Sequence, residues 1–192
     1  MTNEEVALLV TKLQNGDESA FDTLFTVYKN TAVRTAALIT GDFSLAEDIV
    51  QDTFVKCLTS INTLKDPYKF YPWLLKILTH FSWKASKKKS SLVLKDEIYE
   101  DFEDIKLQTK DSYPSDRIAE YSYLYEAVCS LNTKQRTTLI LYYFNDLSIK
   151  EIAKITNSLE ATVKSRLHAA KKSLKKSLNE KYSFEEVVGN EG

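Results

Sequence analysis

Val6, Leu9, Val10 and Leu13 stand at i, i+3, i+4 and i+7, the spacing that places apolar side chains on one face of a helix. The pattern returns along the chain. Phe21, Leu24, Phe25 and Tyr28 repeat it, as do Phe54, Cys57, Leu58 and Ile61, then Leu74, Ile77, Leu78, Phe81 and Ala85. It restarts at Ile118, Tyr121, Tyr125 and Val128, and closes with Val163, Leu167, Ala170, Leu174 and Leu178. A chain patterned this way folds as packed helices. Four glycines and three prolines in 192 residues are too few for the turns of a sandwich or barrel. The expected fold class is all-α.

Polar punctuation sets the helix ends. Thr2-x-x-Glu5, Ser44-x-x-Glu47 and Ser148-x-x-Glu151 read as capping boxes, and Asn132-x-x-Gln135 can cap a further helix. Gly16-Asp17 breaks the first helix, with Asp17 placed to cap the second. Gly41 is a helix stop. Asp66-Pro67 closes the third helix, and Pro72 falls in the first turn of the next, where its missing N–H is harmless. Asn145-Asp146 is a turn. Asn157-Ser158 is a tight break, since Asn tolerates the left-handed conformation. Residues 88–115 lose the periodicity. The expected layout is two small helical domains, an N-terminal bundle over 1–89 and a helix-turn-helix domain over 116–182. A linker, 90–115, joins them, and 183–192 is a tail.

The net charge of −1 hides a division along the chain. Residues 84–94 hold four lysines and no acid, and residues 148–181 hold nine bases against three acids. Between them, residues 95–116 hold eight acids against three bases. Two basic blocks flanking an acidic one suggest two contacts with a polyanion and a linker that avoids it.

Several classes are excluded. No apolar run approaches a membrane span of about 20 residues, and the acidic N-terminus does not resemble a secretory signal. A cytoplasmic protein with no direct membrane insertion is expected. Cys57 and Cys129 make neither a CxxC pair nor a zinc spacing, and read as two buried reduced thiols. With no Gly-rich phosphate loop, Ser/His/Asp set or metal-ligand cluster, neither enzymatic activity nor a cofactor is expected.

The stretch LSIKEIAKITNSLEATVKSRLHAAKKSL (147–174) reads as two helices joined by a short turn. The first is too short to be stable alone and must pack on the second, which is the helix-turn-helix arrangement. With Val163, Leu167, Ala170 and Leu174 buried, Ser165, His168 and Lys172 point away, flanked by Lys164, Arg166 and Lys171. Together with Thr162, these are candidate contacts to duplex DNA: amines and guanidinium for phosphates, and hydroxyl, imidazole or amine for base edges.

Two further faces lie in the N-terminal half. Asp48, Gln51 and Asp52 share one helix face, suited to a basic partner helix or, failing a partner, only to solvent. Trp73, Lys76, His80, Trp83 and Lys87 form a stripe on a later helix, with Lys84 and Lys88 beside it. Aromatics interleaved with lysines fit single-stranded nucleic acid, since bases stack on rings while amines follow phosphates. At least one of the two tryptophans is expected to pack inward.

Taken in order, GDESAFDTLF (16–25), LAEDIVQDTF (45–54), FYPWLLKIL (70–78), LSIKEIAKI (147–155) and ATVKSRLHAAKKSL (161–174) resemble the extracytoplasmic-function (ECF) group of sigma-70 family RNA polymerase sigma factors. The resemblance covers about residues 5–178. It implies that Asp48, Gln51 and Asp52 bind the β′ clamp helices of core RNA polymerase, and that the β subunit is also contacted. It implies that the helix over 72–88 recognises and melts the promoter −10 element, and that the helix over 160–175 reads the −35 element as duplex. The linker would thread the polymerase RNA path, and an anti-sigma factor is an expected partner. His80, Lys84, Thr156-Asn157, Ala161 and Ala169 depart from residues frequent in the group and bear on promoter sequence. The competing reading is a stand-alone helix-turn-helix regulator. It accounts for the C-terminal half but not for LAEDIVQDTF beside a Trp/Lys stripe.

Overall fold

The structure is a computed structural model that describes residues 1–92 and 118–188, with side chains over 1–88 and 123–179. Of the linker read over 90–115, residues 90–92 continue the helix that begins at Phe70, and 93–115 lie outside the described residues. The helices are α1 (Asn3–Gln14), α2 (Ser19–Thr40), α3 (Ala46–Ser60), α4 (Phe70–Leu92), α5 (Ile118–Cys129), α6 (Thr133–Tyr143), α7 (Ile149–Ile155) and α8 (Glu160–Val188). Short 3-10 turns at Ile61–Thr63 and Pro67–Lys69 connect α3 to α4. The all-α class holds. Among the described residues there is no strand, and no helix is long and apolar enough to cross a membrane.

Most of the caps form as their chemistry dictates. Thr2 and Glu5, and Ser148 and Glu151, make reciprocal capping boxes, while the Asn132 side chain accepts from the Gln135 N–H at 3.0 Å. Asp146 and Asn157 take positive φ, 53° and 47°. One expectation fails. Ser44 does not cap α3: its hydroxyl donates to Asp42 Oδ1 at 2.7 Å, and the same carboxylate oxygen accepts from the Leu45 N–H at 3.4 Å. The acid two residues upstream holds the corner, so Ser44 braces the cap and Glu47 stays exposed. Asp17, likewise, accepts from the Ser19 N–H at 3.1 Å, from one position before the α2 N-cap.

The N-terminal half is a bundle of α1–α4, and α5–α8 form the C-terminal half. Phe25 meets Phe54 edge-on at 4.9 Å. Tyr28 lies against Phe70 at 5.5 Å and Tyr71 at 5.3 Å, closing α2, α3 and α4 around Phe70 and Leu78, both fully buried.

The two halves pack on each other. One apolar cluster runs from Val6 and Phe54 through Leu74 to Leu141, Ile152, Val163 and Leu167. A second joins Ile39 of α2 to Val128, Leu139, Ile140 and Ala170, with Trp83 of α4 against it. Residues 136–141 of α6 are all buried, as required of a helix enclosed on every side.

Polar side chains fix this packing. The Arg136 guanidinium donates to three carbonyls: Ile39 at 2.9 Å, Thr40 at 3.1 Å and Cys129 at 2.6 Å. Two of these end α2, where the helix dipole favours a cation. Asn145 Nδ2 donates to Thr35 Oγ1 and Tyr71 OH, both at 2.9 Å. Lys69 and Glu151 form an ion pair at 3.5 Å on the rim.

Gly41 makes the close approach at the Arg136 contact possible. It takes φ 69°, and a Cβ there would lie 3.2 Å from Arg136 Nη1 and 3.4 Å from Cys129 Sγ. Gly41→Ala is therefore expected to destabilise the fold by about 1–2 kcal/mol, from left-handed strain and displacement of the guanidinium. The urea unfolding midpoint measures this, and Gly16→Ala, with open space at its Cβ, isolates the backbone part.

Candidate nucleic-acid interface

Three surfaces carry the residues singled out in the sequence. The first is on α3. Asp48, Gln51 and Asp52 are all exposed, and the buried opposite side, Ile49, Val50, Thr53 and Phe54, anchors the helix in the bundle. None of the three forms an ion pair among the described residues. Exposed Val55 continues the same face one turn on. It is a rigid, acidic, apolar-edged strip open to a partner. No group of three or more His, Cys, Asp or Glu is placed to hold a metal ion among the described residues.

The second surface is α4. Its inner face is fixed by Leu74, Leu75 and Leu78. Lys76, His80, Lys84, Lys87 and Lys88 are exposed, while Trp73 and Trp83 are half-buried. The two tryptophans separate here. The Trp83 indole N–H donates to Thr137 Oγ1 at 2.9 Å, so its ring is wedged between the halves rather than presented as a stacking platform. Trp73 packs one side against Phe70, ring centres 6.1 Å apart, and keeps its other side on an open groove.

The third surface is the N-terminal part of α8. Val163, Leu167 and Ala170 are buried, the last two turns against α6 and α7. Lys164, Ser165, His168, Lys171 and Lys172 are exposed, the outward face that the periodicity predicts. Two members of the set are less exposed. Arg166 is half-buried and Nη1 donates to Ser158 Oγ at 3.0 Å, bracing the α7–α8 turn. Thr162 is half-buried beside it. The Lys171 ammonium sits over the Tyr143 ring at 5.2 Å.

The thiols lie apart from these surfaces. Burial pushes Cys57 up to about 12 and also raises Cys129, against the opposing pull of the Arg136 charge. Neither is a nucleophile at neutral pH.

Residues that pattern reading does not single out are Arg136, Thr79, Lys56 and Lys154. The last three line one groove with the α4 stripe. Lys56 and Lys154 come from different halves and meet only through packing, so spacing carries no signal for them. Arg136 does leave a trace, an arginine directly before the run TTLILYY, which is wholly apolar or hydroxyl-bearing.

Residues 24–91 match the family model described as Sigma-70 region 2, and residues 121–174 match that of Sigma-70, region 4. The RNA polymerase sigma factor SigV of Bacillus subtilis (strain 168) is 31% identical over 166 residues, which span 86% of this chain and 88% of that protein. The ECF RNA polymerase sigma factor SigW of the same organism is 27% identical over 183 residues, spanning 89% of this chain and 95% of that one. Two solved structures share the fold at 19% identity. CnrH in complex with the cytosolic domain of CnrY gives a TM-score of 0.67, over 91% of this chain and 97% of that one. The sigma factor RpoE in complex with the anti-sigma factor NepR from Bartonella quintana gives 0.66, over 83% and 96%.

Proposed function

The chain belongs to the sigma-70 family of RNA polymerase sigma factors, in its extracytoplasmic-function group, and from that premise we propose how its residues divide the work. As a sigma factor it binds core RNA polymerase and directs promoter-specific transcription initiation. In our reading, Asp48, Gln51 and Asp52 dock on the β′ clamp helices. The observation that carries this is two carboxylates and an amide on one exposed face of a helix whose other side is locked in the bundle. Such a face meets a basic partner with little reorganisation.

Trp73, Lys76, His80, Lys84, Lys87 and Lys88 contact the −10 element as it melts, the amines on phosphates and Trp73 against a base. Trp83 buttresses α4 from behind. Lys164, Ser165, His168, Lys171 and Lys172 face the major groove of the −35 duplex, with Thr162 and Arg166 at its edge. The domain bounds are 1–89 for docking and −10 recognition and 116–182 for −35 recognition, with 90–115 between them and 183–192 as the tail.

The partners are core polymerase, including its β subunit, and promoter DNA in duplex and melted form. An anti-sigma factor is a further partner, a reading supported by the complex of the sigma factor RpoE with the anti-sigma factor NepR. The protein acts in the cytoplasm on a stress or envelope-response regulon, without catalysis of its own.

The test is transcription in vitro with core polymerase free of sigma, on genomic fragments that include the region upstream of the gene. Discrete transcripts from defined start sites are expected. Absence of both transcripts and core binding would favour a stand-alone helix-turn-helix regulator. Lys164→Ala and Lys172→Ala should each reduce the slope of log affinity against log salt, for region-4 duplex binding, by about one. His168→Ala should instead alter preference among −35 sequences.

A further inference from the structure

Where the two halves meet they enclose an open groove of about 850 Å³ between the end of α3, the outer side of α4 and the α7–α8 turn. Its walls carry Lys56, Lys76 and Lys84 from one half and Lys154 from the other, with His80 among them and no carboxylate. None of these lysines forms an ion pair among the described residues. An assembly of four like charges around one concavity is mutually repulsive and raises the local affinity for anions. Trp73 supplies an aromatic wall.

Thr79 lies along the same wall, is 1% exposed, and its hydroxyl has no hydrogen-bond partner among the described residues, an exception among buried hydroxyls. Lysines for phosphates and an indole for a base together describe a nucleotide site. The volume falls within the range of small-molecule pockets, about 300–1,000 Å³, and suits one nucleotide rather than a run of them.

We propose that this groove binds one free nucleoside polyphosphate, its phosphates held by lysines of both halves and its base against Trp73. Because Lys154 and the α7–α8 turn complete the site, the ligand binds only while the halves are packed together. By linkage it stabilises that packing, and it occupies the lysines that we assign to the −10 strand. Nucleotide would thus compete with promoter opening.

The experiment uses the full chain without polymerase or DNA. GTP and ATP are titrated while tryptophan emission is followed, since both tryptophans line the groove. Saturable quenching in the micromolar range is expected, with inorganic tripolyphosphate binding more weakly for want of a base. Lys154→Glu is exposed and outside the surfaces assigned to DNA. It should raise the Kd at least about tenfold, by the loss of one charge-assisted contact and the repulsion that replaces it, while the unliganded protein melts no lower than the parent because repulsion among the groove lysines is relieved. Arg136→Lys, which loosens the packing without touching the groove, should also weaken nucleotide binding. No saturable signal at millimolar nucleotide, or equal Kd for the Lys154→Glu variant, would overturn the proposal. So would binding of single-stranded oligothymidylate alone, indifferent to Lys154, which would make the groove a stretch of the promoter-strand surface and leave the sigma assignment untouched.

Discussion

The double variant Asp48→Lys with Asp52→Lys is expected to lose core-polymerase binding by more than about a hundredfold, and with it every sigma-dependent transcript. Each substitution replaces an attractive contact with a repulsive one on a face that meets a basic partner. Removing one partner of a desolvated charge contact costs about 2–5 kcal/mol, and like charges brought together cost several more. The fold should not notice. Both residues are exposed and neither forms an ion pair among the described residues, so the unfolding free energy should shift by no more than about 0.5 kcal/mol. A pull-down on core polymerase, paired with a thermal melt, separates the two effects. Undiminished binding by a folded variant would remove α3 from the docking interface. Gln51→Ala should cost far less, since it removes a neutral group from a solvated rim.

The second large effect is structural. Arg136→Ala takes away the donor for three carbonyls, those of Ile39, Thr40 and Cys129. A buried carbonyl left without a partner costs about 1–3 kcal/mol unless water reaches it, so a loss of about 2–4 kcal/mol is expected. For a chain of this size that lowers the melting temperature by roughly 10 °C. The separation of the halves has its own signal. The Trp83 indole, bonded to Thr137 across the join, should become solvated, and its emission should shift to the red. Arg136→Lys should recover little, because one ammonium cannot span three acceptors that the planar fork reaches together. A red shift without loss of secondary structure would show the halves parting as units. An unchanged spectrum in Arg136→Ala would mean that the apolar clusters alone hold them.

Much of the fold was legible in the sequence because local rules and tertiary packing agree in it. Val10, Leu74 and Val163 sit on the predicted apolar faces and are buried. Thr2 and Ser148 cap where their side-chain chemistry directs. The Ser44 cap was misread because two residues compete for one helix start. Asp42, a full charge, takes the Leu45 N–H on the same oxygen that accepts from the Ser44 hydroxyl. The outward residues of α8 were legible for the same reason as its core, since fixing one face of a helix fixes the other. Trp83 and Arg166 were not. The sequence predicts that at least one tryptophan packs inward, but not which; Trp83 and Arg166 each look like a surface residue within their own helix and are claimed by a partner from elsewhere, Thr137 in one case and the turn residue Ser158 in the other. The packing of one half on the other escaped a reading made element by element. Its clearest trace is α6, where Arg136 through Leu141 are buried without a polar stripe.

The acceptors around Arg136 carry a last consequence. They are peptide oxygens, which neither gain nor lose a proton over any pH at which the chain stays folded. An arginine held by carboxylates would come loose in acid and weaken in brine. This one is shielded from both, because its partners do not titrate and buried contacts are little screened by ions. The Lys69–Glu151 pair at the rim, by contrast, weakens with ionic strength, and a pair of that kind contributes about 0–1 kcal/mol. Changes of acidity or salinity therefore leave the Arg136 contacts intact.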